Sequence, residues 1–236
     1  MKYGLAFSGG KDSWACLYLH LEQIQDIHVI WVNTGKNYPE TLEQVEIAKK
    51  LCPTFIEISS NRDLQNDAHG IPADYVPIRW TETGQIFSGA KPFKVQSYLG
   101  CCYQNISEPL NAKVKELGIT HLISGQRADE VHKSARRNGD VVDDVTHLFP
   151  LENWTEEQVF DYLKDKMEIP EHFGLSHSSL DCYDCSAYLE ESSDRLVWAK
   201  NKHPDLHEIN MQRINKLRYA TAGVGKLYQL EGIDNG

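Results

Sequence analysis

Hydrophobic and polar positions run in blocks along this chain, and the period changes from block to block. "KYGLAF" is a short apolar run, and "SWACLYLHLEQI" after it has helical spacing. "IHVIWVNT", "TFIEIS" and "ITHLISG" read as further buried strands, short and rich in β-branched residues. "PETLEQVEIAKKL" opens on Pro39 at a helix start and offers Leu42, Val45, Ile47 and Leu51 as its apolar stripe. "SEPLNAKVKELG" predicts a helix stopped by Gly118. "WTEEQVFDYLKDKM" predicts one with Thr155 as N-cap and acidic residues in the first turn. Residues 61–96 are the least regular stretch, rich in Pro, Gly and Thr, and predict a long loop of the kind that forms a lid.

Strand–helix alternation of this kind predicts an α/β fold, a doubly wound and mostly parallel sheet. A helical, cysteine-bearing C-terminal region follows it. The expected division is a nucleotide-binding α/β part over 1–150 and a helical part over 151–236, together one compact unit. A chain of 236 residues suits one domain with an appended region. It has no apolar stretch long enough for a transmembrane helix, and its opening apolar run is too short for a secretory signal. The expectation is a cytoplasmic protein with no membrane partner. The net charge of −10 argues against broad nucleic-acid binding, although it leaves room for a local basic groove. Six cysteines, four of them clustered, suit metal binding or redox work better than a disulfide scaffold.

The candidate chemistry begins at "SGGKDS", Ser8 to Ser13, where the first strand passes into a helix. Gly9 and Gly10 allow close backbone approach and positive φ. The unpaired amides of the helix start then face an anion, and Ser8 and Ser13 add hydroxyl donors. Asp12 would be repelled by phosphate unless it caps backbone or meets Mg²⁺.

S-G-G-x-D-S resembles the pyrophosphate loop of the adenine nucleotide α-hydrolase superfamily, whose members typically cut ATP between the α- and β-phosphates. The resemblance implies phosphate contacts from Ser8, Gly9, Gly10, Asp12 and Ser13, with Lys11 at the variable position. Three further blocks resemble the phosphoadenosine phosphosulfate (PAPS) reductase-like proteins. They are "VNTGKNYPET", "GQRADEVHKSARR" and "LFPLENWTEEQVFDYL", in that family's order. They imply nucleotide contacts at Thr34, Gly35, Gly125 and Arg127; with the loop they make Asp12, Lys11 and Arg127 the candidate catalytic residues. Asn33 stands where the family usually has Asp, and Val131 where it has Ser.

Cys101-Cys102 and Cys182-x-x-Cys185 supply four soft ligands, right for Zn²⁺ or an iron–sulfur cluster. Adjacent cysteines diverge, which suits a cubane with separated irons better than one tetrahedral Zn²⁺. The pattern resembles the C-C…C-x-x-C signature of assimilatory adenosine phosphosulfate (APS) reductases, and implies a [4Fe–4S] cluster. Cys16 and Cys52 read as small core residues. His172 and His177 flank the C-x-x-C loop without ligand spacing, and the basic segment around Gly223 and Gly225 reads as a closing tail or a helix with its exit loop.

Sulfonucleotide reductases attack sulfur with a cysteine of a C-terminal E-C-G-L/I-H motif, and no cysteine follows Cys185. Reductases also tend to have a degenerate first loop, which is complete here. The expectation is an iron–sulfur, Mg²⁺-dependent enzyme that cleaves ATP to AMP and pyrophosphate and adenylates an acceptor. Sulfur transfer or nucleic-acid modification, a thiol or sulfur-carrier protein as partner, and a homo-oligomer complete that expectation. The alternatives are an APS or PAPS reductase, and a non-catalytic subunit that binds nucleotide and cluster.

Overall fold

In the computed structural model, apolar runs become strands and periodic segments become helices. In chain order they are β1 (Tyr3–Ala6), α1 (Lys11–Leu19), β2 (Ile27–Asn33), α2 (Pro39–Leu51), β3 (Phe55–Ser59), α3 (Arg62–His69), β4 (Ile71–Ala73), α4 (Glu82–Ser88) and β5 (Val95–Ser97). Then follow α5 (Tyr98–Cys102), α6 (Glu108–Glu116), β6 (His121–Ile123), β7 (Val141–Val142), β8 (Val145–Leu148), α7 (Glu156–Leu163), α8 (Asp194–Lys202) and α9 (Pro204–Thr221). The structure describes residues 1–130, 133–175, 180, 182–190 and 192–224. Val131, His177 and Gly225, singled out above, lie outside the described residues. Among the described residues no helix is long and apolar enough to cross a membrane.

The chain forms two compact units, each built from two stretches: Met1–Asn61 with Gln104–Cys182, and Arg62–Tyr103 with Tyr183–Gly236. The first holds a sheet of order β3-β2-β1-β6-β8-β7, parallel throughout except for the β7–β8 pair. Strand alternation sorts its side chains onto two faces. Leu5, Val29, Trp31 and Ile123 join Trp14 and Leu17 of α1, Val45 and Ala48 of α2, and Val159 and Leu163 of α7. Ile30 and Leu122 point the other way, toward Val114 of α6. The chain steps outward from β1 to β3 and then returns to β6 on the far side of β1. In such sheets ligands bind at the carboxyl ends of the strands near this switch.

Several local expectations are corrected. On α2 the buried face is Thr41, Gln44, Val45 and Ala48, which keep i, i+3, i+4, i+7 spacing. Leu42, Ile47 and Leu51 are 41%, 44% and 40% exposed, so only Val45 of the expected stripe is core. The helical run after the loop ends at Leu19 and continues as a 3₁₀ turn over Leu21–Asp26. Residues 61–96, expected to be irregular, contain α3, β4, α4 and β5. Each is shorter than the window in which periodicity shows. The β7–β8 hairpin turns through Asp143 and Asp144, both at positive φ (50° and 63°). Two-residue hairpin turns demand that backbone, but Asp-Asp lacks the glycine that usually signals it.

In the second unit, β4 and β5 pair in parallel. Ile71, Ala73 and Val95 pack there against Leu217 and Ala220 of α9.

Candidate nucleotide site

The loop after β1 is shaped by its glycines and closed by its serines. Gly9 sits at φ +84°, and a Cβ there would come within 3.2 Å of Thr41 Cγ2 and 3.4 Å of the Thr41 carbonyl oxygen. The Gly10 amide donates to Ser8 Oγ (3.3 Å), and Ser13 Oγ donates to the Gly10 carbonyl (2.8 Å). The two serine oxygens stand 3.3 Å apart. Gly10 is the N-cap of α1 and contributes no side-chain cap to its first-turn amides. That arrangement suits a bound anion.

The charged residues of this region face one another. Arg127, 2% exposed, lies with Nε 2.9 Å from Asp12 Oδ1 and Nη1 3.1 Å from Asp129 Oδ1. Lys11 is buried, with Nζ 2.8 Å from Glu156 Oε1. The Glu156 amide donates to Asp129 Oδ2 (2.8 Å), and the Arg127 amide to Glu130 Oε2 (3.4 Å). Thr155 caps α7 as expected, in a capping box with Gln158. Gly125 lies against the first turn of α1, where a Cβ would meet the Asp12 carbonyl carbon at 2.8 Å and oxygen at 2.9 Å. Burial raises the Asp12 carboxyl above the usual range, opposed by Arg127 and then Lys11. Burial, and next the charge of Asp12, raise Glu130 as well.

Beside the loop, a pocket of about 200 Å³, open to solvent, lies along the carboxyl ends of β1 and β2. Ile30, Val32, Ile106 and Leu110 give it apolar surface, while Ser8, Thr34, Asn37 and Cys182 give polar atoms. Its mixed lining, apolar walls with a few polar atoms, is of the kind that takes a small organic ligand. Thr34 is buried, and Gly35 at φ +74° carries the turn after it, its amide donating to Asn33 Oδ1 (2.8 Å). Asn33 also donates to Glu57 (2.7 Å), a structural task on β3. Thr34 Oγ1 lies 3.4 Å from Cys182 Sγ, and the backbone of Asn37 bridges to that of Cys182.

The loop residues and Gly125, Arg127, Thr34 and Gly35 thus all belong to the first unit, with Cys182. Cys101, Cys102 and Cys185 belong to the second, whose boundary falls between Cys182 and Tyr183. All six cysteines are free thiols. Within the second unit, Arg62 Nε and Arg213 Nη2 converge on buried Asp184 (2.9 and 2.7 Å), and Arg195 donates to the Cys185 carbonyl (3.2 Å). Burial raises the Cys101 thiol, and Arg62 is the largest opposing influence. Buried thiols beside arginines are a donor set that fits a thiolate-ligated metal group. Among the described residues no group of three or more His, Cys, Asp or Glu side chains is already poised around a metal position.

Sequence reasoning missed Glu156, Asn37 and the apolar pocket wall. Asn37 lies inside the quoted "VNTGKNYPET", and Glu156 is a first-turn acid of α7. Nothing in either segment signals its partner.

A glycine-rich loop at the carboxyl edge of a parallel sheet, next to a pocket, defines a nucleotide-site architecture in an α/β fold. The domain description for phosphoadenosine phosphosulfate reductase matches residues 2–188, and the chain belongs to that family. An uncharacterized protein of Methanocaldococcus jannaschii is 25% identical over 210 residues, covering 85% of this chain and 44% of its own length. The chain therefore spans less than half of that relative. An adenosine 5'-phosphosulfate reductase of Staphylococcus haemolyticus is 24% identical over 193 residues, covering 79% of this chain and 71% of that enzyme. Among solved structures, a phosphoadenylyl-sulfate reductase from Candida auris, in a phosphate complex, aligns with a TM-score of 0.47 at 18% identity, over 70% of this chain and 72% of that one. The family includes enzymes.

Proposed function

We propose that the chain binds ATP and cleaves it to AMP and pyrophosphate, adenylating an acceptor. The observation that carries this reading is the complete Ser8–Ser13 loop, with an α1 N-terminus that Gly10 leaves without a side-chain cap, adjoining the pocket beside β1 and β2. The adenosine would lie against Ile30, Val32, Ile106 and Leu110, and the β- and γ-phosphates in the loop. As an acceptor oxygen attacks the α-phosphorus, the bond to the bridging oxygen breaks and its electron pair leaves on pyrophosphate. First-turn amides of α1 and the hydroxyls of Ser8 and Ser13 are preorganised donors for that charge. Lys11 and Arg127 act here as positioning residues, since their cationic groups are held by Glu156 and Asp12.

Asp12, beside Arg127, would be the carboxylate that holds Mg²⁺, and the ion would supply charge neutralisation for the phosphates. Cys101, Cys102, Cys182 and Cys185 would hold the [4Fe–4S] cluster, a reading supported by the C-C…C-x-x-C pattern and the arginines near Cys101. Such a group supplies one-electron chemistry or a covalent staple.

A second reading, an APS or PAPS reductase, is favoured by one observation: the Cys182 thiol lines the pocket. Isothermal titration with ATP, APS and PAPS, with and without Mg²⁺, tests the ranking. Mg²⁺-dependent preference for ATP is expected, with AMP and pyrophosphate as products once an acceptor is supplied. Binding of APS or PAPS without ATP binding would transfer the assignment to the reductase.

A further inference from the structure

With residues that belong neither to the loop nor to the cysteine set, the second unit presents an aromatic surface with a charge opposite to that of the whole chain. Residues 75–97 carry Arg79, Lys91 and Lys94 against the single carboxylate Glu82, and residues 209–224 carry Arg213, Lys216 and Arg218 against none. Arg213 is taken up by Asp184, and Lys94 Nζ by the Ala68 carbonyl (2.6 Å). Arg79, Lys91, Lys216 and Arg218 remain, Arg218 donating only to the neutral Asn215 Oδ1 (3.0 Å). The net charge of the whole chain is −10, so this concentration of cations is local.

The two segments are joined by packing. Trp80 and Phe93 stack with centroids 4.5 Å apart, Tyr219 meets Trp80 edge-on at 5.5 Å, and Lys216 Nζ lies 6.0 Å from the Phe93 ring. Gln85 fastens the segment by donating to the Phe93 carbonyl (2.9 Å) and accepting from the Lys91 amide (3.1 Å). Onto this base two rings stand out: Tyr219 is 68% exposed and Phe87, on α4, 86%. An exposed phenylalanine flanked by Ile86 and Ile78, both exposed too, is not explained by the core it leaves behind.

We propose that this surface binds single-stranded nucleic acid. Unpaired bases offer π-faces to protruding rings, and the phosphates between them offer charge to interleaved cations, with no sequence readout required. The acidic remainder of the chain would confine a polyanion to this patch. A duplex keeps its bases stacked inside and offers Phe87 and Tyr219 no ring to meet. An anionic bilayer would call for a longer amphipathic element than α4, which has 7 residues.

The experiment uses the full chain and a fluorescein-labelled oligouridylate of about 12 nucleotides, within the span such surfaces cover. Anisotropy is followed across a salt series. Four cations in contact predict a slope of roughly −3 in log K against log salt, at about −0.7 per phosphate on a single strand. Lys216→Gln should reduce the slope by ~0.7. Phe87→Ser and Tyr219→Ser should each weaken binding by about tenfold. Phe87 is 86% exposed, so Phe87→Ser should match the unsubstituted chain in circular dichroism and melting, whereas Tyr219→Ser loses its edge contact with Trp80 and its binding is read well below its own melting temperature. A duplex of the same length and phosphatidylserine vesicles serve as competitors. Absence of saturable binding at low salt, affinity unmoved by these substitutions, equal affinity for the duplex, or capture by vesicles alone would each overturn the proposal. None of these residues lies in the nucleotide loop, so the outcome is independent of whether ATP, APS or PAPS binds there.

Discussion

Arg127 Nε stands 2.9 Å from Asp12 Oδ1, joining the segment after β6 to the first turn of α1. The guanidinium is buried, and the Asp12 side chain is only 20% exposed, so each group needs the other. Removing one member of a buried pair costs more than the pair contributes, because a charge is stranded. Arg127→Met should therefore destabilise the chain by about 2–4 kcal/mol, short of the upper range because Asp12 keeps some solvent. Arg127→Met combined with Asp12→Asn should recover part of the loss. Urea unfolding of the three variants measures both effects. Additive losses would show that the two side chains are not coupled.

Gly125→Ala tests the same junction sterically. The added Cβ would meet Asp12 backbone atoms at 2.8 and 2.9 Å, and backbone cannot swing aside as a side-chain tip does. We expect a loss of about 1–3 kcal/mol and weaker nucleotide binding, since the first turn of α1 must move. Gly174→Ala is the control: no atom lies within 4 Å of a Cβ there, and its stability should change by less than ~0.5 kcal/mol. Equal melting temperatures for the two variants would contradict the close packing.

Four strands of the central sheet, β1, β2, β3 and β6, were legible because each is a short, nearly continuous apolar run between turn signals, whereas β7 and β8, two and four residues long around Asp143 and Asp144, carry no such run; α2 begins at the proline that marks it. The face α2 buries was not legible. Thr41 and Gln44 are polar yet inward, and Thr41 donates to the Leu180 carbonyl, a partner remote in sequence. The strand-to-helix turn at Ser8–Ser13 was legible, since its glycines and the helix start that follows are local. The orientation of Lys11 was not, because Glu156 approaches it only through the packing of α7 on α1. The short elements of 61–96 acquire their order from α9, far along the chain, and no local window contains that information.

Glu130 gives a pH prediction. Its carboxyl is raised, first by burial and then by Asp12. A raised carboxylate binds its proton more tightly folded than unfolded. Stability then falls as pH rises from the ordinary glutamate range through the raised value, and stays lower above it. Glu130→Gln keeps an acceptor for the Arg127 amide and removes that loss. The variant should match the unsubstituted protein at mildly acidic pH and melt higher at neutral pH. Melting curves across this window decide it. A variant that melts lower at neutral pH would mean that the Glu130 charge is favourable where it lies.

The thiols of Cys16 and Cys52 provide the last test. Both are buried in the core beneath the sheet, as expected from sequence. Burial pushes Cys52 up to about 11, and burial with the nearby charge of Asp12 pushes Cys16 up as well. Alkylation follows the thiolate fraction and access, and both are small here. In the native protein at mildly alkaline pH, iodoacetamide should leave Cys16 and Cys52 unmodified. In urea both should react, as peptide mass spectrometry would record. The result bears on the reductase reading, which needs an attacking thiol. If either residue is alkylated in the native state, it becomes a candidate nucleophile. If both are protected, that reading must rely on Cys182, the thiol in the pocket wall, or on a thiol from a partner protein.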